Sequence, residues 1–469
     1  MPESALDESY FYSLYQTLLS NKRPARDRHR AYDFIQQQLI HAQALPCTLP
    51  AEPEDLGAWL TRRLSLIEQR HTEYHLRRKQ GGAREFFASK GHALLYFQRV
   101  APRKVVEGAW LYGTLQHWDD VRLQPLIRRY IADTGAGSLA DNRVYAYQQL
   151  LAKEGVNTEH TLADSDYHQA SIQLALGLSG SRLLPEVVGF NLGHESWMLQ
   201  LHNIRDELFE LVDGQDFNPY RSYRSTGAAD VSPIKVAMQV LIAMLPPDEE
   251  HRKAFYQRVK DGFRLSLVGS MAQNIVFELH QSGSLQQAVL DIMVNRFAHG
   301  RLGHDDHHAQ DSTDHSGHAE VIRFLDSLQA KGWIRLGVDP SQSRLWEMIN
   351  MDQGIMSGVF SPAEKQIIYD WIASSGQGDD SGLKLAANMP SKSRWPLPQR
   401  SAMRKTSKPQ HHDVPSEVRQ QLDRADTVQR FDLLTSYLRT AVHPTPIGQW
   451  AARQYLIQLN AHTPLATHG

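Results

Sequence analysis

The chain has 469 residues, of which 41% are hydrophobic and 22% charged, with a formal net charge of -2. This composition is that of a globular protein with a sizeable core, and its near-neutral charge excludes a general nucleic-acid binder. The lone cysteine, Cys47, excludes an intramolecular disulfide, a zinc ribbon and a thiolate cluster, which fits a cytoplasmic protein. The segment Met1 to Tyr10 carries Glu3, Asp7 and Glu8 and lacks an apolar core, so no signal peptide is expected there. No run of 18 apolar residues occurs, so no membrane span is expected.

In chain order, apolar residues recur at spacings of three and four over 9–43 and 54–79, which predicts helices. The same pattern predicts helices over 104–131, 140–154, 165–178, 185–213 and 233–245, and two or three more within 249–299. No convincing run alternates in the manner of a strand, so the expected core is all-α. Residues 300–319 are polar and rich in histidine and read as a loop entering a helix, which resumes at about 318–331. Gly332-Trp333-Ile334 and a turn through Pro340 follow. Residues 374–416 are rich in Gly, Ser, Pro, Lys and Gln, bury too little apolar surface to offset ordering entropy, and read as a linker. Beyond it, 416–439 and 447–459 predict a short helical hairpin.

Two segments carry the functional signal. One is Asp133-Thr134-Gly135-Ala136-Gly137, followed by Asp141-Asn142-Arg143. The other starts at Leu184-Pro185-Glu186, continues through Gly189-Phe190-Asn191-Leu192-Gly193-His194-Glu195, and leads to Arg224-Ser225-Thr226-Gly227-Ala228. With Val105-Val106-Glu107-Gly108-Ala109-Trp110-Leu111 upstream, they resemble the haem-oxygenase-like diiron oxidases and oxygenases, the iron-containing redox enzyme family. Gly332-Trp333-Ile334, Ser343-Arg344-Leu345-Trp346 and Gly354-Ile355-Met356-Ser357-Gly358-Val359-Phe360 resemble the tail of its longer members, so the likeness spans residues 85–372.

The resemblance implies a haem-oxygenase-like bundle of about seven core helices. Its parts would be N-terminal helices over 1–84, the bundle over 85–299, a helical region with the His-rich loop over 300–373, the linker over 374–415, and a tethered C-terminal helical hairpin over 416–469. It also implies a metal site built from carboxylates and imidazoles projecting inward. Asp133 stands at the position of a ligand Glu, Glu195 at another, and Glu107 offers a further carboxylate. The framework Asn is kept as Asn142. The ligand histidine beside it is Arg143, and the remaining His, Asp and His ligands correspond to Arg224, Ala228 and Ile234.

Three readings of this replacement stand side by side. A guanidinium is always charged and binds carboxylates in bidentate fashion, so Arg143 and Arg224 would supply the positive charge that iron supplies elsewhere. Alternatively, both arginines point outward around an apolar core with one or two capped carboxylates. Thirdly, the metal site is rebuilt from Asp133, Glu195 and Glu107 with His117, Asp120 and His202, since His117 and Asp120 (i, i+3) and Glu195 and His202 (i, i+7) would each share a helix face. Two histidines and one carboxylate suit Fe(II). The His-rich stretch from His299 to His318 would bind Zn²⁺ or Ni²⁺ adventitiously, or is a plain surface loop. Gly135-x-Gly137 is too short for a dinucleotide fingerprint, and there is no Walker loop. Gly177-Leu178-Ser179-Gly180-Ser181 lacks the closing glycine of a nucleophile elbow.

The expectation is therefore a degenerate, metal-free homologue of diiron oxygenases in specialised metabolism. Its partner would be an active oxygenase paralogue or another pathway enzyme, or a small molecule in the bundle cavity. The alternative is an active non-haem iron oxygenase using Fe(II), diiron or mononuclear, with O₂, for N-oxygenation or oxidative cleavage of an amino-acid-derived substrate.

Overall fold

Helix signals dominate the sequence, and helices dominate the fold. The computed structural model describes residues 9–20, 24–157, 162–198, 201–212, 232–269, 284–298, 316–350, 359–374, 414–438 and 445–462. Among them lie 18 α-helices and no strand. None of these helices is long and apolar enough to cross a membrane.

The first eleven helices are α1 (Tyr10–Ser20), α2 (Pro24–Ala42), α3 (Leu56–Lys79), α4 (Lys90–Lys104), α5 (Gln124–Asp133), α6 (Arg143–Glu154), α7 (His168–Leu178), α8 (Leu184–Met198), α9 (His202–Leu211), α10 (Pro233–Met244) and α11 (Glu249–Leu265). Four more follow, α12 (Ser284–Ala298), α13 (Ser316–Ala330), α14 (Arg344–Asn350) and α15 (Pro362–Ala373), then α16 (Ser416–Arg424), α17 (Thr427–Leu438) and α18 (Pro446–His462).

Several boundaries differ from the sequence reading. The stretch expected as one helix over 104–131 is the end of α4, a 3-10 segment over Ala109–His117, and α5. Gly108 causes the break, because its φ of +89° lies in the left-handed region that a helix cannot use. The stretch 185–213 divides into α8 and α9. The helix α4 carries no expectation at all. Nearly every side from Gly91 to Lys104 is buried, so it has no polar face to set up a period.

Two apolar clusters organise the helices. The larger gathers α1, α2, the start of α3, the 3-10 segment, α5, α7, α8, α10 and α11. The smaller gathers α4, α6, α9 and α12 to α15. In the larger cluster α8 and α11 pack backbone to backbone. A Cβ on Gly189 would meet the Val259 carbonyl oxygen at 2.0 Å, and one on Gly262 would meet that of Glu186 at 2.1 Å.

The C-terminal helices are not merely tethered; they belong to the larger cluster. Phe431 stacks on Trp118 with centroids 4.2 Å apart. The Tyr455 hydroxyl donates to the Leu115 carbonyl at 2.7 Å, and Tyr130 donates to that of Leu438 at 3.2 Å. The linker over 374–415 and the His-rich loop lie outside the described residues, except that Ser374 follows α15, α13 begins at Ser316, and α16 is preceded by Val414 and Pro415.

Candidate functional site

The site forms where the two clusters meet, from α4 and α6 on one side and α5 and α8 on the other. Its frame is the turn after α5. The amides of Gly135 and Ala136 donate to the carbonyls of Ala132 and Ile131, both at 2.9 Å, which closes the helix in a Schellman arrangement. Gly135 has φ +94°, and a Cβ there would meet the Ser138 carbonyl oxygen at 2.1 Å. That explains the glycine of the Asp133-Thr134-Gly135 motif as backbone geometry.

Asn142 has a structural task as well. Its Oδ1 accepts from the Tyr145 amide at 2.9 Å and caps α6, while its Nδ2 donates to the Thr134 carbonyl at 2.8 Å. The Thr134 carbonyl also accepts from Gln449 Nε2 at 2.9 Å, so α18 pins the same turn. Asn142 therefore fixes Arg143, the first residue of α6, against the last residue of α5, Asp133.

Asp133 is buried at a helix C-terminus, where the helix dipole disfavours a negative charge. Two guanidinium groups compensate it. Arg143 Nε lies 3.1 Å from Asp133 Oδ1, and Arg129 Nε lies 3.1 Å from Oδ2. Arg129 reaches further, with its Nη2 3.2 Å from Glu195 Oε1 on α8. Next to them Lys104 Nζ donates to both oxygens of Glu107, at 2.9 and 3.1 Å. The result is a buried network of three carboxyl groups and three directly paired cations. Arg103, also buried, acts on Lys104 and His194.

The titration behaviour follows from burial and these neighbours. Burial alone would raise the Glu107 carboxyl, but Lys104, Arg143 and His194 outweigh it and hold it at about 2. Burial pushes the Lys104 ammonium down against the pull of Glu107. Burial pushes Glu195 up against the pull of Arg129, with Asp133 adding to the rise. His194 falls to about 3, first through burial and then through Arg103, Lys104 and Arg129, with Glu107 opposing. Its imidazole is neutral at pH 7 and packs on Trp110 with centroids 4.4 Å apart, and Trp110 donates to Asn191 Oδ1 at 3.2 Å.

Of the positions singled out in the sequence, Glu107, Asp133, Arg143 and Glu195 converge here. Ile234 is buried at the start of α10, and Arg224 and Ala228 lie outside the described residues. The arginine that joins the two expected carboxylates is Arg129, which no motif indicated, although it stands four residues before Asp133 on α5.

The residues of the rebuilt-site reading do not share helix faces. His117 ends the 3-10 segment and pairs with Ser181 Oγ at 3.0 Å, and Asp120 lies in the turn beyond, bound to Arg122 at 2.7 Å. His202 begins α9, whereas Glu195 lies on α8, so one continuous helix does not carry both. Among the described residues, the group of three potential metal ligands whose ligand atoms all lie within 4.8 Å is His71, His75 and Asp206. It sits on α3 and α9, away from the expected set.

Comparison with known proteins adds no relative. No family model, no curated protein and no solved structure matches the chain.

Proposed function

We propose that this chain is a haem-oxygenase-like diiron-oxygenase homologue in which a buried ion network replaces the metal centre. It acts as a partner subunit for an active oxygenase paralogue or another pathway enzyme, or as a binding module for a small molecule. The observation that carries this reading is the engagement of Asp133 by Arg129 and Arg143 together with that of Glu195 by Arg129. A metal ligand must offer a free lone pair, and a dication entering here would have to displace guanidinium groups in a site that also holds the positive charges of Arg103 and Lys104. The donor set therefore does not suit iron, and no oxygen chemistry is assigned to it.

The test is anaerobic loading with Fe(II), removal of excess metal, and iron counting on the wild type beside an Asp133→Ala, Glu195→Ala double variant. The expected outcome is no iron that depends on Asp133 and Glu195. One or two irons per chain, lost in the double variant, would overturn the reading and restore the oxygenase. Size-exclusion of the full chain mixed with a paralogue that keeps the ligand histidines then tests the partner role.

A further inference from the structure

We infer that α3 and α9 together form a site for a Zn²⁺-class divalent transition metal, with His71, His75 and Asp206 as ligands and His202 as a fourth. This does not rest on the reading above, since it involves none of the residues of the ion network.

The local sequence sets up the geometry. On α3, His71 and His75 are i, i+4 neighbours; on α9, His202 and Asp206 are too. That spacing puts each pair on one helix face, the arrangement by which two imidazoles of a helix hold zinc. The helices then meet face to face, rung by rung. His71 Nδ1 lies 2.7 Å from Asn203 Oδ1, and His75 Nε2 lies 3.1 Å from Asp206 Oδ2. The Tyr74 hydroxyl donates to Glu207 Oε1 at 2.8 Å, and Arg78 Nη2 donates to Glu210 Oε2 at 2.6 Å. Increasing numbers pair with increasing numbers, so the helices run parallel and their register is fixed at four levels.

Rigidity of that register comes from Glu207. Its carboxylate is fully buried and also accepts the amides of Phe86 and Phe87, at 2.7 and 2.9 Å. The ligands are thus carried by a pinned helix pair. The ligand atoms of His71, His75 and Asp206 lie within 4.8 Å of one another. Two ligands on one tetrahedral zinc with bonds of about 2.0–2.1 Å stand about 3.3 Å apart. The 3.1 Å separation of His75 Nε2 and Asp206 Oδ2 is already close to that.

The surroundings suit a metal ligand. An Asn203 carbonyl oxygen accepts from His71 Nδ1–H, which leaves the Nε2 lone pair for coordination, the usual outer-shell device for fixing a tautomer. The His202 ring centroid lies 5.6 Å from that of His71. All three ligands of the core group are half-buried, which admits an ion from solvent. Imidazoles with one carboxylate select zinc, nickel, copper or cobalt over calcium and magnesium. Among the described residues, His75 is the basic group paired with Asp206, whereas three cations are bound directly into the ion network.

The experiment is titration of the full-length chain with ZnCl₂ by calorimetry, and with CoCl₂ followed by its visible d–d absorption, in imidazole-free buffer. Three variants accompany it. They are His71→Ala/His75→Ala, Asp206→Asn, and a loop variant with His304, His307, His308 and His315 all changed to Ala. The expected result is one tight site per chain that survives in the loop variant. It weakens on the order of 100-fold in His71→Ala/His75→Ala, with loss of the tetrahedral cobalt band. Asp206→Asn keeps the size and a hydrogen-bonding partner for His75, so it serves if the double variant does not fold; it should also abolish the cobalt band. Equal binding by wild type and both helix variants, or binding that disappears only in the loop variant, would overturn the site. Zinc binding that persists when Asp133 and Glu195 are removed separates this site from any metal at the ion network.

Discussion

Around Asp133, every carboxyl group of the α4–α8 junction meets a cation within 3.2 Å, and the groups are almost wholly buried. Between α3 and α9, the candidate ligands are imidazoles and one aspartate, partly exposed, with Arg205 acting from beside His202. Both regions join neighbouring helices through polar groups in an otherwise apolar bundle. They differ in what happens when a metal arrives. At the junction, fixed guanidinium groups already occupy the charge-compensating role, and removing them exposes bare carboxylates. At the α3–α9 face, the imidazoles are partly exposed and, among the described residues, no guanidinium is paired with Asp206 in the way Arg129 and Arg143 are paired with Asp133. Burial alone therefore does not mark a metal centre. What marks it is whether permanent cations have already claimed the anionic donors.

The largest effect separating the regions should come from Arg129. Arg129→Ala removes the guanidinium that bridges Asp133 and Glu195, two almost wholly buried carboxyl groups. Breaking a buried pair from one side costs about 3–5 kcal/mol, so urea denaturation should show a loss of that size. Replacing the group as a whole has a different outcome. A variant carrying Arg129→Met, Asp133→Leu, Arg143→Met and Glu195→Leu removes both signs of charge together and is expected to be neutral or more stable. If Arg129→Ala costs nothing, the network is solvated and the contrast between the two regions fails.

The second effect is acid sensitivity, read through His194. Its folded pKa of about 3 lies below the value near 6.5 of an unfolded imidazole, so the unfolded chain binds this proton first. The stability it contributes is full above the unfolded pKa and is lost as pH falls from 6.5 towards 3. Glu107, held at about 2, adds its own loss only below about pH 4.5. Glu195 acts with the opposite sign, since its raised pKa makes the folded state take up a proton more readily as pH falls. Between pH 6.5 and 5 the His194 share is therefore isolated by comparing wild type with His194→Gln. The wild type should lose up to about 1.4 kcal/mol per pH unit more than the variant. Parallel pH profiles would show that His194 is not a neutral buried ring.

Much of this was legible in the sequence, and the exceptions have physical causes. The all-α class and the extents of α6 and α10 follow from apolar periodicity, because those helices bury one face. Asp133, Arg143 and Glu195 stand out in the sequence as positions of the motifs that resemble the iron-containing redox enzymes, and the first two flank the Gly135 turn and the Asn142 cap. Arg129 does not stand out, since its partner Glu195 is brought near only by the packing of α5 on α8. The same holds for α3 and α9. The i, i+4 pairing of His71 and His75 can be read from the chain, but Asp206 joins them only through tertiary register. His202 was assigned to the face of Glu195 because apolar spacing runs through 185–213 and hides the break between α8 and α9. The docking of α17 and α18 was hidden for a related reason. A polar stretch precedes them, and their partners Trp118, Leu115 and Thr134 lie more than three hundred residues away in sequence.

The smallest effects lie within the α3–α9 face and resolve which of its rungs hold the helices and which only line the site. Glu207 accepts the Tyr74 hydroxyl and the amides of Phe86 and Phe87 while fully buried. Glu207→Gln turns one acceptor oxygen into a donor facing donors, so it should cost about 1–3 kcal/mol. The His75–Asp206 rung is more than a third exposed at its histidine, and an exposed pair is worth about 0–1 kcal/mol. His75→Ala in metal-free buffer should accordingly shift the urea midpoint little, with an unchanged slope. The same variant measured with saturating Zn²⁺ should fall behind the wild type, because only the wild type gains the linkage free energy of a ligand bound to the native state alone. A His75→Ala cost as large as that of Glu207→Gln without metal would make this rung part of the structural scaffold. Its imidazole would then be needed to hold the helices, and the division between pinned register and free ligands would be lost.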